Sequence, residues 1–230
     1  MSYDTAETQL HQAAKNGDLE RAQQCLRTVD INKASALNGA GDSVLHSALS
    51  YPKTDTVENK KAIFRLFMET ASATLFVHQN AAGKTILHKN ALNDLMAELV
   101  DEILNQAPEL ASTKDSNGTY PIHVAVSSGQ IAIVKQLFAH DQHPKALCDA
   151  NGNSPLHLAV ALGNAAMVAA CIAGDPDTIN TTNRNGETPL YFAKDPNIRD
   201  YLIANDADPA LAHQSLDTQT DRNMTTPSPW

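Results

Sequence analysis

Between Gly118 and Phe138 the chain reads GTYPIHVAVSSGQIAIVKQLF, and its apolar positions recur at helical spacing in two runs. Ile122, Ala125 and Val126 share one face, Gly129 ends that run, and Ile131, Ile133, Val134, Leu137 and Phe138 form a second. Helices of roughly three turns or fewer cannot bury both faces against one another, so each pair requires neighbours. The chain supplies them 34 residues on, where Gly152 to Ile172 reads GNSPLHLAVALGNAAMVAACI and repeats the first run Gly for Gly, Pro for Pro and His for His. Recurrence at a period of about 33 predicts helix–turn–helix repeats stacked in a row.

The same pattern extends in both directions and predicts six repeats, at about 5–37, 38–78, 79–113, 114–147, 148–181 and 182–209, in one domain over 1–209, with a flexible polar tail over 210–230. In the first, Thr8-Gln9-Leu10-His11 opens a helix, Asn16-Gly17 breaks it, and Asp18 caps a second helix carrying Leu19, Ala22, Cys25 and Leu26. In the second, Ala62 to Met68 is the second helix, preceded by about five extra residues within Ser50 to Lys60. There either the loop is longer or the helix begins earlier, and the proline and charged residues read as surface. The third lacks the glycine between its helices, with Asn93-Asp94 in that place. The sixth has a shortened first helix, and Pro196 begins a second with Ile198, Tyr201, Leu202 and Ile203.

With the repeats aligned, the chain resembles the ankyrin-repeat family. The matching residues are a Gly-x-Thr-Pro-Leu-His signature and a Gly six residues after the His. Gly152-Asn153-Ser154-Pro155-Leu156-His157 with Gly163 carries it most fully, then Gly118 to His123 with Gly129, then Gly186 to Tyr191. The signature position holds His11, His46, His88, His123, His157 and Tyr191, spaced 35, 42, 35, 34 and 34 residues apart. The resemblance implies an all-α solenoid of stacked helix pairs with short hairpin-like finger loops. Physically, Ser or Thr caps the first helix, Pro fits its first position, and His can bond the Ser/Thr hydroxyl and a neighbouring carbonyl. Asp-x-x-Gly or Asn-x-x-Gly shapes the finger tip. Tyr120 stands in the Thr place, and Val44 and Ile86 replace Pro, so weaker caps and less regular, more mobile second and third repeats are expected.

Composition narrows the function. A formal charge of −9 without a basic stripe argues against nucleic acid and anionic membrane surfaces. No segment reaches 18 consecutive apolar residues, and the first residues lack the basic and apolar regions of a secretory signal. Three cysteines without paired spacing fit a reducing compartment, so a cytoplasmic location is expected. Of nine histidines, five occupy the signature position and read as structural. His140 and His143, followed by Cys148, could hold zinc or pair a thiol with a base, although they also read as the connector into the next finger. Cys25 and Cys171 fall at apolar helix positions and read as core thiols. Neither a catalytic constellation nor a cofactor motif emerges.

The resemblance implies a non-enzymatic protein-binding module, a scaffold or adaptor acting through the concave face of finger tips and first helices. Carried onto this chain, that face comprises Lys84, Asn117, Thr119, Ser127, Ser128, Asn151, Asn153, Leu162, Arg184 and Glu187, with Lys15, Asn16, Asn93, Lys114, Ser116, Ala150, Ala161 and Asn185 beside them. The partner is another protein, and a monomer is expected. The insertion near Tyr51 and the ending Thr226 to Trp230 are further contact candidates. Ankyrin-like chains of this size also occur as effectors that bacteria deliver into host cells, which gives an alternative reading.

Overall fold

The computed structural model describes residues 5–31, 38–50, 56–92, 97–140 and 147–212. They fall into two compact bodies, within 1–142 and 143–230. The described residues contain twelve α-helices and several single 3-10 turns, with no strand longer than one bridge. None of these helices is long and apolar enough to cross a membrane.

In the first body, α1 (Ala6–Asn16), α3 (Val44–Ala48), α6 (Ile86–Asn90) and α8 (Pro121–Ser127) are the first helices of four repeats, and each packs on the next. Their partners are α2 (Leu19–Leu26), α4 (Val57–Thr70), α7 (Leu99–Gln106) and α9 (Ile131–His140), with α5 (Ala73–Phe76) following α4. In the second body, α10 (Pro155–Ala161) packs on α11 (Ala165–Gly174) and on the turn Pro189–Phe192, after which comes α12 (Pro196–Ala204).

The core lies between the helix rows. Leu10, Leu45, Leu87 and Ile122 in the first body, and Leu156 and Leu190 in the second, are buried at the same repeat position. Each contributes on the order of 2 kcal/mol by leaving water. Three residues further along, Ala13, Ala48, Ala125 and Ala159 are small enough for first helices to approach closely, and all are buried. Repeat three has Asn90 there instead, 1% exposed. Neither its Nδ2 nor its Oδ1 has a hydrogen-bond partner.

Several expectations are corrected. The first helix begins at Ala6, before Thr8, because Thr5 takes the cap and its Oγ1 accepts from the Thr8 N–H at 3.2 Å. In repeat two the second helix begins at Val57 rather than Ala62, which is the earlier start that the insertion left open as one of two alternatives. That extension turns Lys60 inward rather than to the surface: it is 1% exposed, and its Nζ donates to the Ser50 carbonyl at 2.8 Å and Ser50 Oγ at 3.0 Å. In repeats two and three, α3 and α6 begin at Val44 and Ile86, where repeats four and five carry Pro, and are five residues long because they end sooner. Even so, Thr85 and His88 close a capping box. On α12, Ile198 and Leu202 face inward, whereas Tyr201 and Ile203 are exposed because helical spacing carries them past the buried edge. Past the expected boundary at 209, Pro209–Leu211 forms a 3-10 turn, and the Ala212 carbonyl accepts from the Thr188 N–H at 3.2 Å. Tyr51 and residues 213–230 lie outside the described residues.

Candidate functional site

Five fingers are built to one plan. The side-chain oxygen of Asn38, Asn80, Asp115, Asp149 or Asn183 accepts the backbone N–H groups two and four residues on, at 2.8–3.1 Å. This fixes the turn without help from outside the finger. Gly83 and Gly152 then adopt φ of 70° and 80°, a region costly for a side chain. Space makes the same demand: a Cβ on Gly83 would sit 2.5 Å from the Ser116 nitrogen, and one on Gly152 would sit 2.8 Å from that of Arg184. The close approach serves a hydrogen bond between successive fingers. Ala81 N–H donates to Ala40, Ser116 to Ala82, and Arg184 to Asn151, at 3.0–3.1 Å.

Signature histidines tie each finger to the helix behind it. Nε2 of His46 bonds the Lys84 carbonyl at 2.8 Å, that of His88 the Thr119 carbonyl at 2.9 Å, and that of His157 the Glu187 carbonyl at 3.0 Å. Their Nδ1 atoms meet Ser43, Thr85 and Ser154 hydroxyls at 2.8–2.9 Å. Nδ1 of His88 and His157 also accepts a backbone N–H, which fixes the neutral tautomer with the proton on Nε2. Burial works against the charged form in all three and pushes His46 down to about 4. His11 reaches Ser47 Oγ at 2.8 Å. In repeat four, Tyr120 stacks on His123 at 5.7 Å in place of a hydroxyl cap. Tyr191 departs from the pattern. It is 49% exposed, since repeat six makes only a 3-10 turn there, and it contacts Phe192 edge-on.

The candidate contact residues separate into two kinds. Asn117, Ser127, Asn151, Leu162 and Arg184 are exposed, Leu162 at 56%. Lys84, Thr119 and Ser128 are half-buried. Asn153 and Glu187, by contrast, are both engaged by the Asn183 finger. Asn183 Nδ2 donates to Asn153 Oδ1 at 3.0 Å and to Glu187 Oε2 at 2.9 Å. Asn93 lies outside the described residues. In the second body, Asn151, Asn153, Arg184 and Glu187 come together around an open cleft of about 320 Å³, which Ala150, Asn183, Asn185 and Phe192 complete. Phe192 was not foreseen. Its only sequence signal is a bulky ring where Leu158 stands one repeat earlier.

The metal or thiol candidates fall in different places. His140 ends α9 and bonds Asp101 Oδ1 at 2.9 Å, Cys148 is half-buried, and His143 lies outside the described residues. Among the described residues no group of three or more His, Cys, Asp or Glu could hold a metal ion. Cys25 and Cys171 are buried, and burial pushes the Cys171 thiol up to about 12.

A family model for ankyrin repeats in three copies matches residues 56–147, and one for a single ankyrin repeat matches 151–184. No curated protein matches the chain.

Proposed function

The chain belongs to the ankyrin-repeat family, whose repeats are generally protein–protein interaction modules, and on that premise we propose that it is a non-enzymatic adaptor or scaffold. It binds a partner protein through its finger tips and first-helix ends. The observation that carries this reading is the division of labour within each finger. Asx side chains, glycines and signature histidines hold the backbone, while the side chains of residues such as Asn117, Asn151 and Arg184 are exposed and make no hydrogen bond among the described residues. Rigid presentation of variable side chains lowers the ordering cost of binding. The exposed set is neutral-polar with isolated cations and one apolar residue, Leu162, which suits hydrogen-bonded recognition of a protein surface.

Affinity capture from cell lysate tests the reading with three proteins: wild type, the finger-face variant Asn151→Arg/Leu162→Arg/Arg184→Glu, and the back-face variant Ala166→Arg/Ala173→Glu on α11. Circular dichroism establishes that each is folded. A partner retained by wild type and the back-face variant but lost by the finger-face variant is the expected result. A partner lost only by the α11 variant would move the binding surface to the other side.

A further inference from the structure

We propose that the cleft between the Asp149–Gly152 and Asn183–Gly186 fingers recognises a side-chain carboxylate in an extended acidic segment of the partner, with Arg184 and Asn151 as its donors. The inference rests on the finger face being the binding surface.

The argument is one of unspent hydrogen-bonding capacity. Several acceptors in and beside the cleft are already engaged by the fingers themselves. Asp149 Oδ1 takes two backbone N–H groups and its Oδ2 takes Asn153 Nδ2 at 3.2 Å. Glu187 Oε2 takes the amides of Asn183 and Asn185 at 2.9 and 3.3 Å. The guanidinium of Arg184 and the carboxamide of Asn151, both exposed and both lining the cleft, make no hydrogen bond or ion pair among the described residues. The unspent donors are therefore the Arg184 guanidinium, planar and suited to two-point contact with a carboxylate, and the Asn151 amide beside it. Phe192 supplies an apolar wall for the aliphatic stem that bears it.

The source of the carboxylate follows from the backbone. Capture of a chain terminus commonly uses a nest of free N–H groups. Here the N–H groups of Asn151, Gly152 and Asn153 are bonded to Asp149, that of Arg184 to Asn151, and those of Asn185, Gly186 and Glu187 to Asn183. No run of free N–H groups is left along Asn151–Asn153 or Arg184–Glu187 to form such a nest, so recognition falls to the side-chain donors, on an open cleft through which a chain can pass. The Asp149 and Glu187 carboxylates repel additional negative charge, so a monoanion suits the site better than a dianionic phosphate.

The test is a nitrogen-15 NMR titration of the full chain with acetyl-Ser-Gly-Glu-Gly-Ser-amide, with its Gln counterpart and with its phosphoserine counterpart. The Glu peptide is expected to shift the Arg184 Nε–H and Asn151 Nδ2 signals saturably, at roughly tenfold lower concentration than the Gln peptide. Arg184→Gln, at an exposed position, should abolish that difference, and Arg184→Lys should keep part of it. Equal shifts from Glu and Gln peptides at the fingers overturn the carboxylate assignment and leave the finger-face reading intact. Stronger binding of the phosphoserine peptide, or no response at about 10 mM, also overturns the assignment. Shifts confined to α11 overturn both.

Discussion

The Nε2 of His157 donates to the Glu187 carbonyl at 3.0 Å, so a side chain of one repeat holds the finger of the next. His46 and His88 do the same for Lys84 and Thr119. The bond uses the neutral ring, and burial keeps it neutral, at about 4 for His46. An unfolded histidine protonates near pH 6.5. Between pH 6.5 and about 4 the unfolded chain therefore binds more protons than the folded one, and stability falls as pH falls through that window. His46 adds a slope approaching about 1.4 kcal/mol per pH unit within that window, and His88 and His157 act in the same direction. Urea midpoints at pH 7.5, 6 and 5 should decline steadily. An unchanged midpoint from 7.5 to 5 would contradict the neutral, buried tautomers.

Asn90 occupies the place of Ala13, Ala48, Ala125 and Ala159, buried with both polar atoms unbonded. Removing two unsatisfied buried groups is worth about 1–3 kcal/mol, less the cost of a slightly smaller side chain. Asn90→Ala should raise the urea midpoint of the full chain, with a net gain of about 1 kcal/mol. A lower midpoint would mean that the carboxamide is satisfied by ordered water.

Much of this fold can be read from the chain because the repeated features are local. The buried positions equivalent to Leu10 follow, within each body, from helical spacing, and Ser154, Pro155 and His157 specify a helix start within four residues. Lys60 escapes such reading. Its burial follows from where α4 begins and from Ser50 ten residues earlier, and a lysine in a polar stretch carries no mark of that. The cleft was half legible. Arg184 and Asn151 fall at finger positions, but Asn153 and Glu187 look identical to them in sequence and are consumed by Asn183. Tyr191 shows that a signature position does not guarantee its environment, since the helix that would turn it inward is missing.

Lys60 is an ammonium held at 1% exposure by one serine, with Lys15 adding repulsion. Burial, the larger cause, brings it down to about 8. Above that pH the folded protein releases a proton that the unfolded chain keeps until about 10.5. Stability from this group consequently rises between pH 8 and 10.5, by an amount on the order of 3 kcal/mol. Lys60→Met retains the stem and removes the buried charge, so it should stabilise the protein at pH 7 by about 1–2 kcal/mol and flatten that alkaline rise. A destabilised variant would show that the Ser50 contacts outweigh desolvation.

Thr188 marks what repeat six lost with its histidine. The hydroxyls of Ser43, Thr85 and Ser154 each meet a histidine Nδ1, whereas Thr188 Oγ1 is buried with no hydrogen-bond partner. Thr188→Val should therefore stabilise the second body by about 1 kcal/mol, because it exchanges an unsatisfied hydroxyl for a methyl group of similar size. Tyr191→His offers the opposite remedy, a ring nitrogen three residues along. The two should not add: once Val is at 188 the histidine has no hydroxyl to meet, and the double variant should fall short of the sum of the singles. Chemical denaturation of all four proteins gives that coupling directly. Strict additivity would show that the 3-10 turn at Pro189–Phe192 keeps residue 191 outward whatever its side chain, and that repeat six is closed by its backbone alone.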